Sequence, residues 1–321
     1  MRPFVPLLRD PHLATVTASL WPRRLDESRF PVEARLHQTE PDVRVLVLSQ
    51  RPAVPRAEVL LVHGLEGSSG SGYMRSMAQS LLEAGYAVHR VNLRSCGGTE
   101  LLCRTFYHAG LTSDLLALLL DMDKQRRTPA FLVGFSLGGN VVLKLAGEMG
   151  ESARRLIAGV CALSAPIDLA ACARRLEARA NRLYQWHFVR SMRRRVRMRH
   201  RVMPDVFSID RLHKARTVYE FDDGFTAPGF GFQSAGHYYA TQSSRAFLDL
   251  IRVPALLIQA ADDPIIPFEV FDHPAFTLNP NLRLEATVCG GHLGFLNRVE
   301  PRFWCDGAVV DWIGENMPGA S

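Results

Sequence analysis

Apolar residues along this chain fall into two alternating patterns: short unbroken runs, and longer stretches where they recur every three or four positions. Val59-Leu60-Leu61-Val62 and Phe131-Leu132-Val133 are runs of the first kind. A run apolar on both faces is what a strand inside a parallel sheet requires. Strands are predicted over Glu33 to Thr39, Val43 to Ser49, Glu58 to His63, Tyr86 to Asn92, Ala130 to Phe135, Leu156 to Leu163, Ala255 to Gln259 and Arg283 to Val288. Helices are predicted over Tyr73 to Glu83, Leu111 to Lys124, Leu137 to Met149 and Phe303 to Asn316, with Gly85 stopping the first and Thr112 or Ser113 capping the second. Strand and helix in steady alternation give an α/β fold, with a mostly parallel sheet covered by helices on both faces.

Two stretches break the alternation. Residues 1–30 are rich in Pro and Arg with scattered apolar anchors, and are expected to form an arm packed over the domain. Residues 165–252 form a long insertion before the pattern resumes at Ala255. An insertion of this length in a sheet domain is expected to be a helical cap over the site. The expected organisation is therefore an arm (1–30), a core (31–164 and 253–321) and a cap (165–252). Within the cap, Phe221 to Phe232 reads as too rich in Gly and Pro for a core element.

Composition narrows the class. At 321 residues and 47% hydrophobic, the chain can bury a large core. No run approaches the ~18 apolar residues of a membrane span. Prolines and charges interrupt the first ten residues, and no small-residue cleavage site follows, so a cytoplasmic protein is expected. The six cysteines are scattered without metal-ligand spacing, so reduced structural thiols and no metal are expected.

The net charge of +6 is uneven: Cys172 to Arg216 holds 14 Arg and Lys against three acids, leaving the remainder at −5. Tyr184, Phe188, Met192 and Val196 recur every four residues through this basic segment, giving a helix with one apolar stripe among arginines. Three readings stay open. It is a solvated face of the cap, a peripheral contact with anionic lipid at the inner face of a membrane, or, least favoured because no recognised module accompanies it, a nucleic-acid contact.

The chemistry centres on Phe131-Leu132-Val133-Gly134-Phe135-Ser136-Leu137-Gly138-Gly139-Asn140. Gly-x-Ser-x-Gly between a strand and a helix is the sequence form of a nucleophile elbow, a strained turn that presents the serine hydroxyl at its tip. Serine needs a base to take its proton, and the base needs an acid to fix its tautomer. In α/β hydrolases these follow in the order Ser, Asp or Glu, His, each after a strand. The strand ending at Gln259 leads into Asp262-Asp263, and the strand ending at Val288 leads into Gly290-Gly291-His292. The glycine-rich loop Gly67 to Gly72 fails as a nucleotide site, because Tyr73-Met74 stand where a phosphate loop carries Lys-Ser/Thr.

Several segments together resemble the YheT-like branch of the α/β hydrolases. They are Gly134 to Asn140, His63-Gly64-Leu65-Glu66-Gly67, Asn92 to Gly98, and Phe221-Asp222-Asp223 with Thr226-Ala227-Pro228. The likeness extends to His12 and Thr15 in the arm and to Tyr238-Tyr239 late in the insertion. It implies a serine hydrolase acting on carboxylic esters without metal or organic cofactor, some eukaryotic relatives acting on phospholipids. Carried over by position, it implies Ser136 as nucleophile, His292 as base and then acid, and Asp263 as orienting acid. Asp262 is the rival, expected instead to be an exposed turn carboxylate, because the family's proline four residues after the acid is met by Pro267 for Asp263 alone.

Backbone N–H groups of Leu65 and Leu137 match the usual oxyanion donors, each worth roughly 3 kcal/mol. Glu66 is awkward beside them and is expected to point away or to pair with a cation. His63 is expected to serve the loop's structure. Phe225, Phe230, Phe232, Tyr238 and Tyr239 either line a pocket for a hydrophobic acyl group or form the cap's own core. A thioesterase, an acyltransferase and a non-catalytic binding protein on the same scaffold are the alternative functions.

Overall fold

The computed structural model describes residues 2–124, 130–206 and 208–317. Met1, 125–129, Phe207 and 318–321, which belong to the expected arm, core, cap and core, lie outside the described residues. Eight strands, β1 (Glu33–Glu40), β2 (Val43–Gln50), β3 (Glu58–Val62), β4 (Ala87–Val91), β5 (Ala130–Phe135), β6 (Gly159–Leu163), β7 (Ala255–Ala260) and β8 (Leu282–Thr287), form one sheet in the order β1-β2-β4-β3-β5-β6-β7-β8. β2 runs antiparallel to both its neighbours, and from β4 to β8 every pairing is parallel. Strands β3 to β7 are buried along their whole length, as strands covered on both faces are, and β4 does so with His89 and Arg90 inside it. β6 starts at Gly159, later than the sequence pattern suggests, because Ala153–Leu156 coils into a helical turn with Arg154 and Arg155 in water.

The helices of the arm and the first half are α1 (Pro11–Leu20), α2 (Gly72–Glu83), α3 (Ser113–Asp123), α4 (Leu137–Met149) and α5 (Ala153–Leu156). The insertion between β6 and β7 carries α6 (Leu169–Leu176), α7 (Arg182–His200), α8 (Val218–Phe221), α9 (Ala227–Gly229) and α10 (Ala235–Gln242). α11 (Ala275–Leu278) and α12 (Trp304–Glu315) complete the chain. α2 and α12 cover one face of the sheet, where Met77, Leu81, Val309 and Trp312 pack on Val59, Leu61 and Val133. α3, α4 and the insertion cover the other, where Val141 and Leu145 join Leu60, Val62 and Leu132. Alternate residues of one strand thus feed two cores, the period-two consequence of pleating.

The arm holds a helix that its sparse apolar pattern does not announce. Its signal is local: Asp10 accepts the Leu13 N–H at 2.8 Å and Pro11 occupies the first turn, where a missing N–H costs nothing. In the insertion, the stretch from Phe221 to Phe232 is more buried than its Gly and Pro content suggests. Phe221, Asp222, Thr226 and Ala227 are buried in a wide π-type turn over Asp222–Thr226, while Asp223, Pro228 and Gly229 stay outside. The Asp222 carboxylate makes this possible by accepting from Thr226 Oγ1 at 2.6 Å and Tyr239 OH at 2.7 Å. No helix among the described residues is long and apolar enough to cross a membrane.

Candidate active site

Parallel strands deliver their following loops to one edge of a sheet, so residues far apart in sequence converge there. β5 passes directly into α4 through Ser136, which adopts φ 51° and ψ −121°. The Ser136 N–H bonds Leu163 O at 2.8 Å, which ties this strained residue to β6. The turn is tight enough that a Cβ on Gly134 would stand 2.2 Å from Gly138 O, and one on Gly138 would stand 2.3 Å from Val62 O. Ser136 Oγ lies 3.0 Å from His292 Nε2, and His292 Nδ1 lies 2.9 Å from Asp263 Oδ2. Because a carboxylate only accepts, Nδ1 carries the proton and Nε2 is free to accept from the serine.

Asp263 is fixed before it touches the histidine. Its Oδ1 accepts from Ile265 N at 2.8 Å and Ile266 N at 3.0 Å, and Gln259 Nε2 donates to Oδ2 at 3.2 Å. Asp262 is not the free turn carboxylate expected from the sequence. It is half-buried and accepts the Gly291 N–H at 2.9 Å, so it shapes the histidine loop from the other side. Burial pushes its carboxyl above the usual range. The arm completes the loop: Thr15 Oγ1 accepts the His292 N–H at 2.8 Å and donates to Pro11 O at 2.6 Å.

Leu137 opens α4, where helix geometry leaves the first amides without intrahelical acceptors. Leu65 follows Gly64 in the loop after β3, and both leucines border the cavity in front of Ser136. His63 is fully buried under this loop, donating from Nδ1 to Gly64 O at 2.8 Å and accepting from Leu93 N at 3.1 Å. Both ring nitrogens are used in the neutral form, and burial draws its pKa down to about 4.

Glu66 finds the cation that its position demands. Its carboxylate pairs with Arg195 from α7 and accepts from Ser191 Oγ at 2.7 Å. Its N–H donates to Tyr107 OH at 2.8 Å, and the Arg195 guanidinium sits 4.7 Å from the Tyr107 ring centre. Part of the basic helix is therefore buried machinery, not solvated surface. Arg199 is likewise buried, bonding Ser95 Oγ, Cys103 O and, at 2.9 Å, Thr105 O.

The cavity at Ser136 has a volume of about 110 Å³ and is enclosed jointly by the core loops and the insertion. Its walls are mainly apolar, with Leu169, Leu176, Phe188, Met192, Val218, Phe221 and Ile265 among them. Tyr238 and Tyr239 line it, whereas Phe225, Phe230 and Phe232 do not. Phe225 stacks on Phe221, Phe230 packs edge-on to His108, and Phe232 packs against His108 and Tyr238, so the three phenylalanines support the wall from behind. Asp222 is in the lining, and desolvation raises its pKa to about 6.

Three residues in a row do not make such a site by themselves. Ser49, His89 and Glu58 also form a chain, with contacts of 2.8 and 2.5 Å. They sit within β2, β4 and β3, where backbone amides are committed to strand pairing rather than aimed at a substrate.

Arg195 and Gln259 lie in no motif that sequence reasoning isolated, whereas Asp222 lies in one of the family segments but had no role assigned to it. The one available signal for Arg195 is its place beside the Met192 and Val196 stripe, four residues after Ser191.

The sheet order, the elbow and the convergence of loops after β5, β7 and β8 define the α/β hydrolase class. Residues 58–299 match the family model described as alpha/beta hydrolase fold, and the chain belongs to that family. Among individual relatives, it is 29% identical over 319 residues to the Escherichia coli protein named "Putative esterase YheT", covering 97% of this chain and 92% of that one. It is 30% identical over 252 residues to mouse phospholipase ABHD3, covering 78% of this chain and 61% of the relative's length. The fold also matches the Pyrococcus furiosus esterase Pf2001, with a TM-score of 0.61 at 18% identity over 92% of this chain and 99% of that one. Homologues named as esterases, phospholipases and lipases place the chain among hydrolases.

Proposed function

We propose that the protein hydrolyses carboxylic esters through an acyl-enzyme on Ser136. The observation that carries this reading is the continuous contact from Ser136 Oγ through His292 to Asp263, at 3.0 and 2.9 Å, at the mouth of an apolar cavity. His292 Nε2 takes the serine proton as Oγ attacks the ester carbonyl, and Asp263 stabilises the resulting imidazolium. The oxyanion is met by the N–H groups of Leu65 and Leu137. Collapse breaks the bond to the alcohol oxygen, which leaves with the proton from His292. Water, deprotonated by the same Nε2, then releases the acid and regenerates Ser136.

The apolar wall favours a hydrophobic, lipid-like acyl group, with Tyr238 and Tyr239 closing the pocket, and the basic insertion suits contact with anionic lipid. The test is a fluorophosphonate probe together with nitrophenyl esters of increasing acyl length. Wild-type protein is expected to label and to turn over the longer esters faster, while Ser136→Ala folds and does neither. Absence of label and turnover in folded wild type refutes the reading.

A further inference from the structure

Helix α1 is built inside out relative to an ordinary surface helix, and α7, apolar on its inner face, carries two large apolar residues on its outer face as well. On α1 the small residues Ala14, Thr15 and Ala18 are buried, whereas Leu13 and Leu20 are 60% and 77% exposed, with Val16 at 45% between them. Positions 13, 16 and 20 share one helical face, opposite the buried one. On α7 the inner face holds Val189, Met192 and Val196, while Leu183 and Trp186 at the outer end are 80% and 59% exposed. The same outer face continues through Arg190, Arg194, Arg197 and Arg201, all exposed, and α7 contains no acidic residue. The Arg190 guanidinium lies 5.2 Å from the Trp186 ring centre, where the apolar end meets the cationic row.

The two helices meet. His12 Nδ1 lies 3.1 Å from Tyr184 OH, and the rings stack with centres 5.7 Å apart, so Leu13 and Leu183 are next-door neighbours of a shared contact. Both helices also reach the active site with their inner faces. α1 holds the His292 N–H through Thr15, and α7 lines the cavity with Phe188, Met192 and Arg195. The outer surface is thus about one helix diameter, ~10 Å, from the reacting groups.

We propose that the outward faces of α1 and α7 together form a docking surface for an anionic lipid bilayer. The leucines and Trp186 enter the interfacial region, and the arginine row lies along the lipid phosphates. Exposed Leu and Trp at one end of an acid-free arginine face is the composition that binds such an interface. A nucleic acid would use the charge but leave the leucines in water, and a second copy of this cationic face would repel the arginines. The proposal rests on the ester-hydrolase reading for its purpose, but its test does not.

The test is flotation of the full chain, after fluorophosphonate labelling, with phosphatidylcholine vesicles with or without phosphatidylglycerol. Labelled wild type is expected to float with the anionic vesicles only, and to be released by high salt. Leu183→Ser with Trp186→Ser should weaken partitioning about tenfold, and Arg190→Gln with Arg194→Gln and Arg197→Gln on the order of a hundredfold. These variants should hydrolyse a soluble short-chain nitrophenyl ester at the wild-type rate, which checks that they fold. Failure of labelled wild type to float overturns the docking surface and leaves the hydrolase reading intact. Failure to label overturns the hydrolase reading whether or not the protein floats. Equal flotation of wild type and variants, preference for RNA over vesicles in competition, or a dimer that the Leu183 and Trp186 substitutions dissociate, each also overturns the docking surface.

Discussion

Replacing Asp222 with Asn should change stability relative to wild type by an amount that depends on pH in a defined direction. Asp222 is fully buried in the cavity wall, and desolvation raises its pKa from 3.8 to about 6 despite hydrogen bonds from Thr226 and Tyr239. A carboxyl whose folded pKa lies above its unfolded value holds its proton better in the fold. Stability is therefore intact below the unfolded pKa, falls as pH rises from about 4 to about 6, and stays lowered above that. A difference of about two pKa units corresponds to about 3 kcal/mol at full ionisation. Asn is neutral throughout and keeps a polar group facing both hydroxyls. The variant's advantage over wild type should then grow by roughly 2 kcal/mol between pH 4 and pH 7, whatever constant offset the altered hydrogen bonds introduce. Urea denaturation of both proteins at half-unit pH steps measures it directly. An advantage that is flat or shrinks as pH rises would refute the assignment of a desolvated carboxylate to Asp222.

Four further outcomes are expected. Asp263→Asn should lower kcat by about four orders of magnitude by stabilising the wrong tautomer of His292, while Asp262→Asn, measured beside it, costs less than tenfold. Arg195→Met leaves the Glu66 carboxylate without its cation beside Leu65, and its repulsion of a developing oxyanion should lower kcat by roughly tenfold or more. Adding Glu66→Gln in the same chain should restore most of that loss. Thr15→Val removes the acceptor for the His292 N–H, and an amide left unpaired at about 1–3 kcal/mol should lower kcat about tenfold or more while KM holds. Gly134→Ala should give little folded protein by circular dichroism, since its Cβ meets the Gly138 carbonyl and neither backbone segment can retreat.

The sheet was legible in the sequence because β3, β5 and β7 are apolar on both faces, and only a doubly covered parallel strand needs that pattern. The order of Ser136, Asp263 and His292 was legible because each lies in the turn or short loop that follows a strand. What stayed hidden was set by contacts across the chain. α1 has few large buried residues, since it presents alanines inward, so its apolar pattern describes the outside. Arg195 looks like any arginine of its helix, and only the approach of the loop after β3 gives it Glu66 as partner. The burial of Asp222 beside Gly224 and Pro228 could not be read from turn-forming composition, because a wide turn and two hydroxyl donors overrode it. Phe225, Phe230 and Phe232 share aromatic character with Tyr238 and Tyr239, so composition alone had no means of separating wall from backing.

The bond between Thr15 and the backbone of His292 spans 277 positions, and Ser136 precedes its histidine by 156. Synthesis runs from the N-terminus, so the elbow strand and the helix after it leave the ribosome long before the segment that carries His292. Throughout that interval neither the Ser136 hydroxyl nor the Thr15 hydroxyl has its partner on His292. On the proposed mechanism, chemical competence thus arrives late, when the last strand docks and the two ends of the chain meet. A chain that stops before residue 292 has, on that mechanism, no base for Ser136 and carries no activated nucleophile into its surroundings.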